Sequence, residues 1–390
     1  MGIKNKKKFF FRILLIACIN ILWINGKYIF VHASEGDTEK DFYIEQIFQE
    51  EDYKEVENIL EENLSNTSFS FHDYVKKIVM GEESISFEGI GEQMKNIVTE
   101  EVSNNKKLWL QCFSIAIAIS FFGKISFLFR SGQVSDTGFY IGYLILCVIL
   151  IQMYLEIHQI AETSLSVLIT FMNALIPVYL LSVAVSNGAD AASGLYPATF
   201  MIIDGMELIL GKILLPMVEI YFLLNLINYC GKENRFSQIC DCIKNGVKWC
   251  AKGILGVACG LQTLQGLIVP AVQEVKNNVI LQTGGAIPVV GDTISGVTET
   301  LLSVTKLLKN GIGVTGIIAM ILLCIAPFMK LLLFCVIYKI GGAFLQPLEE
   351  KRICCCFQGV GNAAFLLLYI VGIAFLLFCF TIIILTSVTR

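Results

Sequence analysis

Four charged side chains stand inside an otherwise apolar run. Asp204, Glu207, Lys212 and Glu219 all fall within residues 198–228. At about 100° per residue they share one face of a helix, with Lys212 and Glu219 nearly aligned. A charge at bilayer depth costs about 2.5–3.5 kcal/mol, so each of these must face protein or water. Two arrangements satisfy that demand: a polar stripe lining a conduit, or a buried ion pair of Lys212 with Glu219 or Asp204. The second chemical feature is backbone. Gly284, Gly285, Pro288 and Gly291 forbid a continuous helix across residues 284–291, after which Asp292 is placed to cap a new helix and Asn310-Gly311 to stop it. Between the caps Ile294, Val297, Leu301, Val304 and Leu308 follow one helical face, and Ser295, Glu299, Ser303 and Lys306 the other. Such a segment either lines a protein-sheltered cavity or lies amphipathically at the bilayer interface. Gly284, Gly285, Pro288, Gly291, Asp292 and Glu299 are therefore the candidate pore or gate.

Other groups carry weaker chemistry. Gly256 and Gly260 form a GxxxG pair, a spacing suited to close helix packing. Lys330 and Lys339 follow Pro327 and would snorkel to headgroups. Cys240, Cys242 and Cys250, and the run Cys354-Cys355-Cys356, lack the paired CxxC spacing or histidine partners of structural zinc sites; the only histidines are His32, His72 and His158. No HExxH, GxSxG or Walker A pattern occurs, so neither a catalytic residue, a metal nor a cofactor is expected.

The elements that must position these residues are helices in a membrane. The chain has 390 residues, 55% hydrophobic and only 16% charged, against about 25% charged in soluble proteins, and several apolar runs exceed the length needed to cross a bilayer. The expected fold is all-α: a polytopic bundle of about six or seven spans with re-entrant or broken segments, plus a small helical N-terminal ectodomain. Residues 1–33 read as a signal sequence, with Lys4, Lys6, Lys7, Lys8 and Arg12 before an apolar core; it is either cleaved near Ala33 or kept as an anchor. Residues 34–107 carry 19 acidic side chains against 7 Lys and no Cys. They are expected to form an acidic extracytoplasmic region of three helices, the last running from about Phe87 to Asn105 into the membrane. Residues 108–390 form the membrane domain, with spans expected at 108–129, 138–157, 160–186, 198–228, 253–272, 313–338 and 359–386. A basic nucleic-acid footprint is absent.

The charge rule for cytoplasmic loops meets an inconsistency in this count. Lys124 and Arg130 fall inside, but the basic loop with Lys232, Arg235, Lys244, Lys248 and Lys252 falls outside. One counted segment is therefore expected to be re-entrant or interfacial, most suitably between 160 and 200, where Pro177, Asn187-Gly188, Gly194 and Pro197 interrupt the pattern. The shared Ile-Pro-Val of residues 174–193 and 285–300 is either chance or the mark of a transporter-like repeat.

The segment GGAIPVVGDTISGVTETLLSVTKLLKNGIGVTG at 284–316, followed by CIAPFMKLLLFCVIYKIGGAFLQPL at 324–348, resembles the stage III sporulation protein AE family. LIPVYLLSVAVSNG at 175–188 and FHDYVKKIVMGEESISFEGIGEQM at 71–94 fit the same family pattern. The resemblance covers roughly residues 70–390. It implies a multi-pass protein of the mother-cell membrane surrounding the forespore, a component of the channel between the two cells. It implies partners as well: other stage III sporulation A-operon proteins, including a secretion-type ATPase and ring-forming proteins, and a forespore-side channel protein. The implied role is an export platform or permease-like subunit without its own ATPase; the alternative is a non-conducting scaffold anchoring the ring and ATPase partners. A self-sufficient secondary transporter is the third reading.

Overall fold

The structure, a computed structural model, describes residues 50–64, 69–80, 90–126, 132–187, 189–231, 235–284, 291–348 and 351–388. These residues form helices and short connections, with no strand among them. In chain order the α-helices are α1 Glu50–Asn63, α2 Phe71–Met80, α3 Ile90–Ser126, α4 Gly132–Asn187, α5 Ala189–Met206, α6 Leu215–Cys230, α7 Ser237–Gly284, α8 Gly291–Leu345 and α9 Lys351–Val388. A π-helical segment, Glu207–Leu214, joins α5 to α6 without a break. Its cause lies in the sequence. Pro216 offers no N–H and its ring collides with the carbonyl four residues back, at Lys212; the wider π turn relieves that collision, and Leu215 donates its N–H to the Leu210 carbonyl instead.

The antiparallel hairpin of α8 and α9 forms the core. Gly313 meets Thr386 at one end, the Phe328 and Phe375 rings meet midway at 6.4 Å, and the Cys354 thiol contacts the Gly342 carbonyl at 3.1 Å at the other. Most α9 positions from Ile353 to Leu385 are buried, so its continuous apolar run is satisfied chiefly by protein. Around this hairpin α3 runs parallel to α8, with Trp109 against Phe334 and Phe113 against Gly341. Helix α4 runs antiparallel to α3, through Asn105–Glu156 and Ile119–Gly142. Helix α6 returns along α4, with Phe222 stacked on Tyr154 at 3.8 Å and the Tyr143 hydroxyl donating to the Leu226 carbonyl at 2.7 Å. Helix α7 follows α9, through Lys248–Phe365 and Gln262–Thr381. Three helices among the described residues are long and apolar enough to cross a membrane, over Thr137–Ala184, Leu307–Leu345 and Lys351–Thr386.

Two sequence expectations fail here for physical reasons. The runs 138–157 and 160–186 are not separate elements but one 56-residue helix, α4, about 84 Å long at 1.5 Å per residue. Pro177 does not interrupt it: the ring lies on the exposed face while Leu175, Ile176, Val178 and Tyr179 are buried on either side and hold the helix together. Gly194 and Pro197 likewise fall inside α5. Counting α4 as one element changes the parity of the charge count. Lys124, Arg235, Lys244, Lys351 and Arg352 then all lie toward one end of the bundle, where Arg352 covers the Phe139 ring at 3.4 Å. The second failure is Asn310-Gly311, which does not end a helix; α8 continues to Leu345. A Cβ at Gly311 would stand 2.9 Å from Val79 of α2. The glycine is there for that close approach, and it docks the acidic N-terminal region on the bundle.

Candidate functional site

The most polar buried constellation lies between α1, α3, α4 and α8. A cavity of about 460 Å³ is bounded by Asn63, Glu101, Asn105, Glu156, Thr163 and Lys330 on its polar side and by Leu323, Cys324 and Pro327 on its apolar one. Glu101 and Asn105 are one helical turn apart on α3, so both point the same way. The Asn105 side-chain amide donates to the Glu101 carboxylate at 2.9 Å and to the Glu156 carboxylate at 3.0 Å. Across the cavity Lys330 Nζ stands 3.4 Å from Glu101, whose side chain is 6% exposed against 39% for the lysine. Pro327 adds an acceptor, since its missing N–H leaves the Leu323 carbonyl without its helical donor. Next to this cluster Trp109 Nε1 and Tyr338 Oη are buried with no hydrogen-bond partner among the described residues.

Two carboxylates and one ammonium give the cavity a net charge of minus one. That suits hydrogen-bond donors or a hydrated cation, and the network ties α3 to both α4 and α8. Among the described residues no group of three His, Cys, Asp or Glu is arranged to hold a metal.

The residues singled out in the sequence lie elsewhere. Asp204, Lys212 and Glu219 are exposed on the outer face of α5, the π segment and α6, and Glu207 is half-buried. Lys212 pairs with Glu207 at 3.5 Å, not with Glu219 or Asp204. Residues five apart lie about 140° apart on an α-helix, and the π geometry is what brings these two together. Gly256 and Gly260 face open space, and a side chain at either would meet nothing within 4 Å of its Cβ. Gly284 is the last residue of α7, and Gly291 the first of α8, with Asp292 and Glu299 following in the helix; Gly285 and Pro288 lie outside the described residues. Lys330, expected to snorkel, instead reaches Glu101. Lys339 lies over the Phe365 ring at 4.8 Å.

Sequence reasoning missed Glu101, Asn105 and Glu156. The signal was available: Glu156 closes one apolar run and Lys330 interrupts another, and a charge in such a place needs a partner. What the sequence lacked was the pairing of helices far apart in the chain.

Comparison with known proteins agrees with the resemblance. Stage III sporulation protein AE of Bacillus subtilis (strain 168) is 24% identical over 307 residues, which cover 77% of this chain and 76% of that protein. No solved structure matches. The profile of stage III sporulation protein AE matches residues 69–389, taking in every element from α2 to α9, and the chain belongs to that family.

Proposed function

We propose that this protein is a membrane subunit of a sporulation-specific transport or secretion channel between mother cell and forespore, acting as an export platform without its own ATPase. The observation that carries this reading is the joint one of family and charge geometry. Six passes along the bundle (α3, α4, the α5–π–α6 column, α7, α8 and α9) alternate so that the basic residues Lys124, Arg235, Lys244, Lys351 and Arg352 gather toward one end. Basic loops mark the cytoplasmic side, so that end faces the mother-cell cytoplasm and α1 and α2 lie outside. In this reading the α6–α7 connection receives the secretion-type ATPase, the acidic N-terminal region meets the ring-forming proteins, and the bundle sits in the mother-cell membrane around the forespore.

The packing supports a second reading beside it. The 460 Å³ cavity is lined by residues of α1, α3, α4 and α8, and most of α9 is buried. A path for cargo would run between chains, or the protein would anchor its partners and conduct nothing. Substitution separates these readings. Bulky residues at Gly284, Gly285 and Gly291 should abolish passage of a tracer into the forespore while the partners still co-purify with the chain. Full passage with such residues in place would make the protein a scaffold.

A further inference from the structure

The exposed face of α4 changes chemistry partway along its length. Ile141, Leu144, Val148 and Leu155 recur at helical spacing and are exposed, Val148 by 64%. The same stripe continues upward as Gln159, Glu162, Ser166 and Thr170, also exposed. One helix face therefore meets two solvents, and the change falls beside Glu156.

Neighbouring helices change at the same depth. On α3 the exposed residues pass from Lys106 and Lys107 to Leu110, Ile117 and Phe121, and Asn105–Glu156 fixes that level against α4. On α6 the exposed residues below Glu219 are Ile220, Leu223 and Ile227, next to the Phe222–Tyr154 stack, whereas above it exposed Met201, Leu208 and Ile213 are interspersed with Asp204 and Lys212. On α8 no residue from 308 to 331 is exposed, whereas Leu332, Val336, Ile340 and Phe344 are, directly below the Lys330–Glu101 pair. Measured along α3 from Lys107 to Lys124, the apolar belt is about 25 Å tall, close to the hydrocarbon thickness of a bilayer, about 30 Å. Charges border it on both sides, with Lys351 and Arg352 below.

We infer that the bilayer grips only this lower belt, on the arc from α8 through α3 and α4 to α6. The upper halves of α4, α8 and α9, although strongly apolar in sequence, then stand beyond the hydrocarbon as a protein-packed body, with the Glu101–Lys330 cavity at the membrane surface. Helix α7 lies off the belt. At that depth it exposes Asp241, Asn245 and Lys252 around an exposed Trp249, and Lys248 and Lys339 share the Phe365 ring. Lipid would penalise each such charge, so this side turns toward water or another chain. The inference rests on the membrane reading given above.

The test uses the full chain in vesicles of phosphatidylcholine with brominated acyl chains, its native tryptophans replaced by phenylalanine. Single tryptophans at Val148 and Val336 should lose at least half of their emission to the brominated chains and be insensitive to aqueous iodide. Tryptophans at Ser166 and Thr170 should show the reverse. Quenching of S166W and T170W by brominated chains as strong as that of V148W would overturn the belt and place the whole apolar length of α4 in lipid. Quenching of none of the four by brominated chains would instead remove the membrane reading on which it stands. On the unaltered chain, a lipid-soluble carbene reagent should modify 140–155 and 332–344 and spare 159–177. Label concentrated on 159–177 would refute the belt without any substitution.

Discussion

Removing one member of the Glu101–Lys330 pair should cost unequal amounts, depending on which member goes. Lys330→Met keeps the length and volume of the stem but leaves the Glu101 carboxylate, 6% exposed, with only the Asn105 amide. Stranding one charge of a buried pair costs about 3–5 kcal/mol. The retained hydrogen bond and the half-open cavity put this case at the lower end, about 3 kcal/mol. Glu101→Gln is milder. The lysine is 39% exposed and keeps both solvent and Glu156, which lines the same cavity, so the loss is that of a partly solvated pair, about 1 kcal/mol. With both replaced, no ion is stranded, and the double variant should lose about 2 kcal/mol less than the sum of the single losses. Thermal unfolding of the three variants in mild detergent reads the cycle. Losses that simply add would show that the pair does not hold α3 to α8.

Three further outcomes are expected. Gly359→Ala would drive a methyl group into the Asn225 side chain, which is 5% exposed, and overpacking of this kind costs about 1–3 kcal/mol; Gly256→Ala, mid-helix with nothing within 4 Å, should instead raise the melting temperature slightly, by a helix-propensity gain of about 0.8–1 kcal/mol. Gly311→Leu should push α2 off α8 at Val79, seen as protease cleavage between residues 64 and 90 of the purified protein at doses that leave the parent chain intact. Cys242 and Cys250 are exposed and should react with maleimide at pH 7. Burial and the Asp241 carboxylate push the Cys240 thiol up, so its thiolate is scarcer at that pH and its labelling should rise only as pH increases; mass spectrometry of the modified peptides distinguishes the three.

Periodicity made the helices legible. It could not show whether two apolar runs separated by a few polar residues make one helix or two. In α4 the separating residues, His158-Gln159, have no helix-breaking character, and Pro177 looked like a stop only because the burial of its neighbours is invisible in one dimension. Gly311 was misread for a related reason. A glycine after asparagine is a helix stop by local preference, but here the close approach of Val79 is the reason for it. The candidate site was half legible: Lys330 stood out within its apolar run, while Glu101 and Asn105 looked like ordinary members of an acidic, solvated helix. Their role depends on α3 lying beside α8, a contact spanning more than two hundred residues of chain.

The π-helical segment Glu207–Leu214 bears on how this family can vary in length. A π turn is in effect an α-helix carrying one surplus residue. Excising a residue between Glu207 and Leu214 would let the ladder close as an ordinary α-helix while α5 and α6 kept their outward and inward faces. The same excision anywhere else in that column would swing every downstream side chain by about 100° and turn Tyr221 and Phe222 out of the core. Relatives one residue shorter should therefore carry their gap at this turn, and lose the Glu207–Lys212 pairing with it.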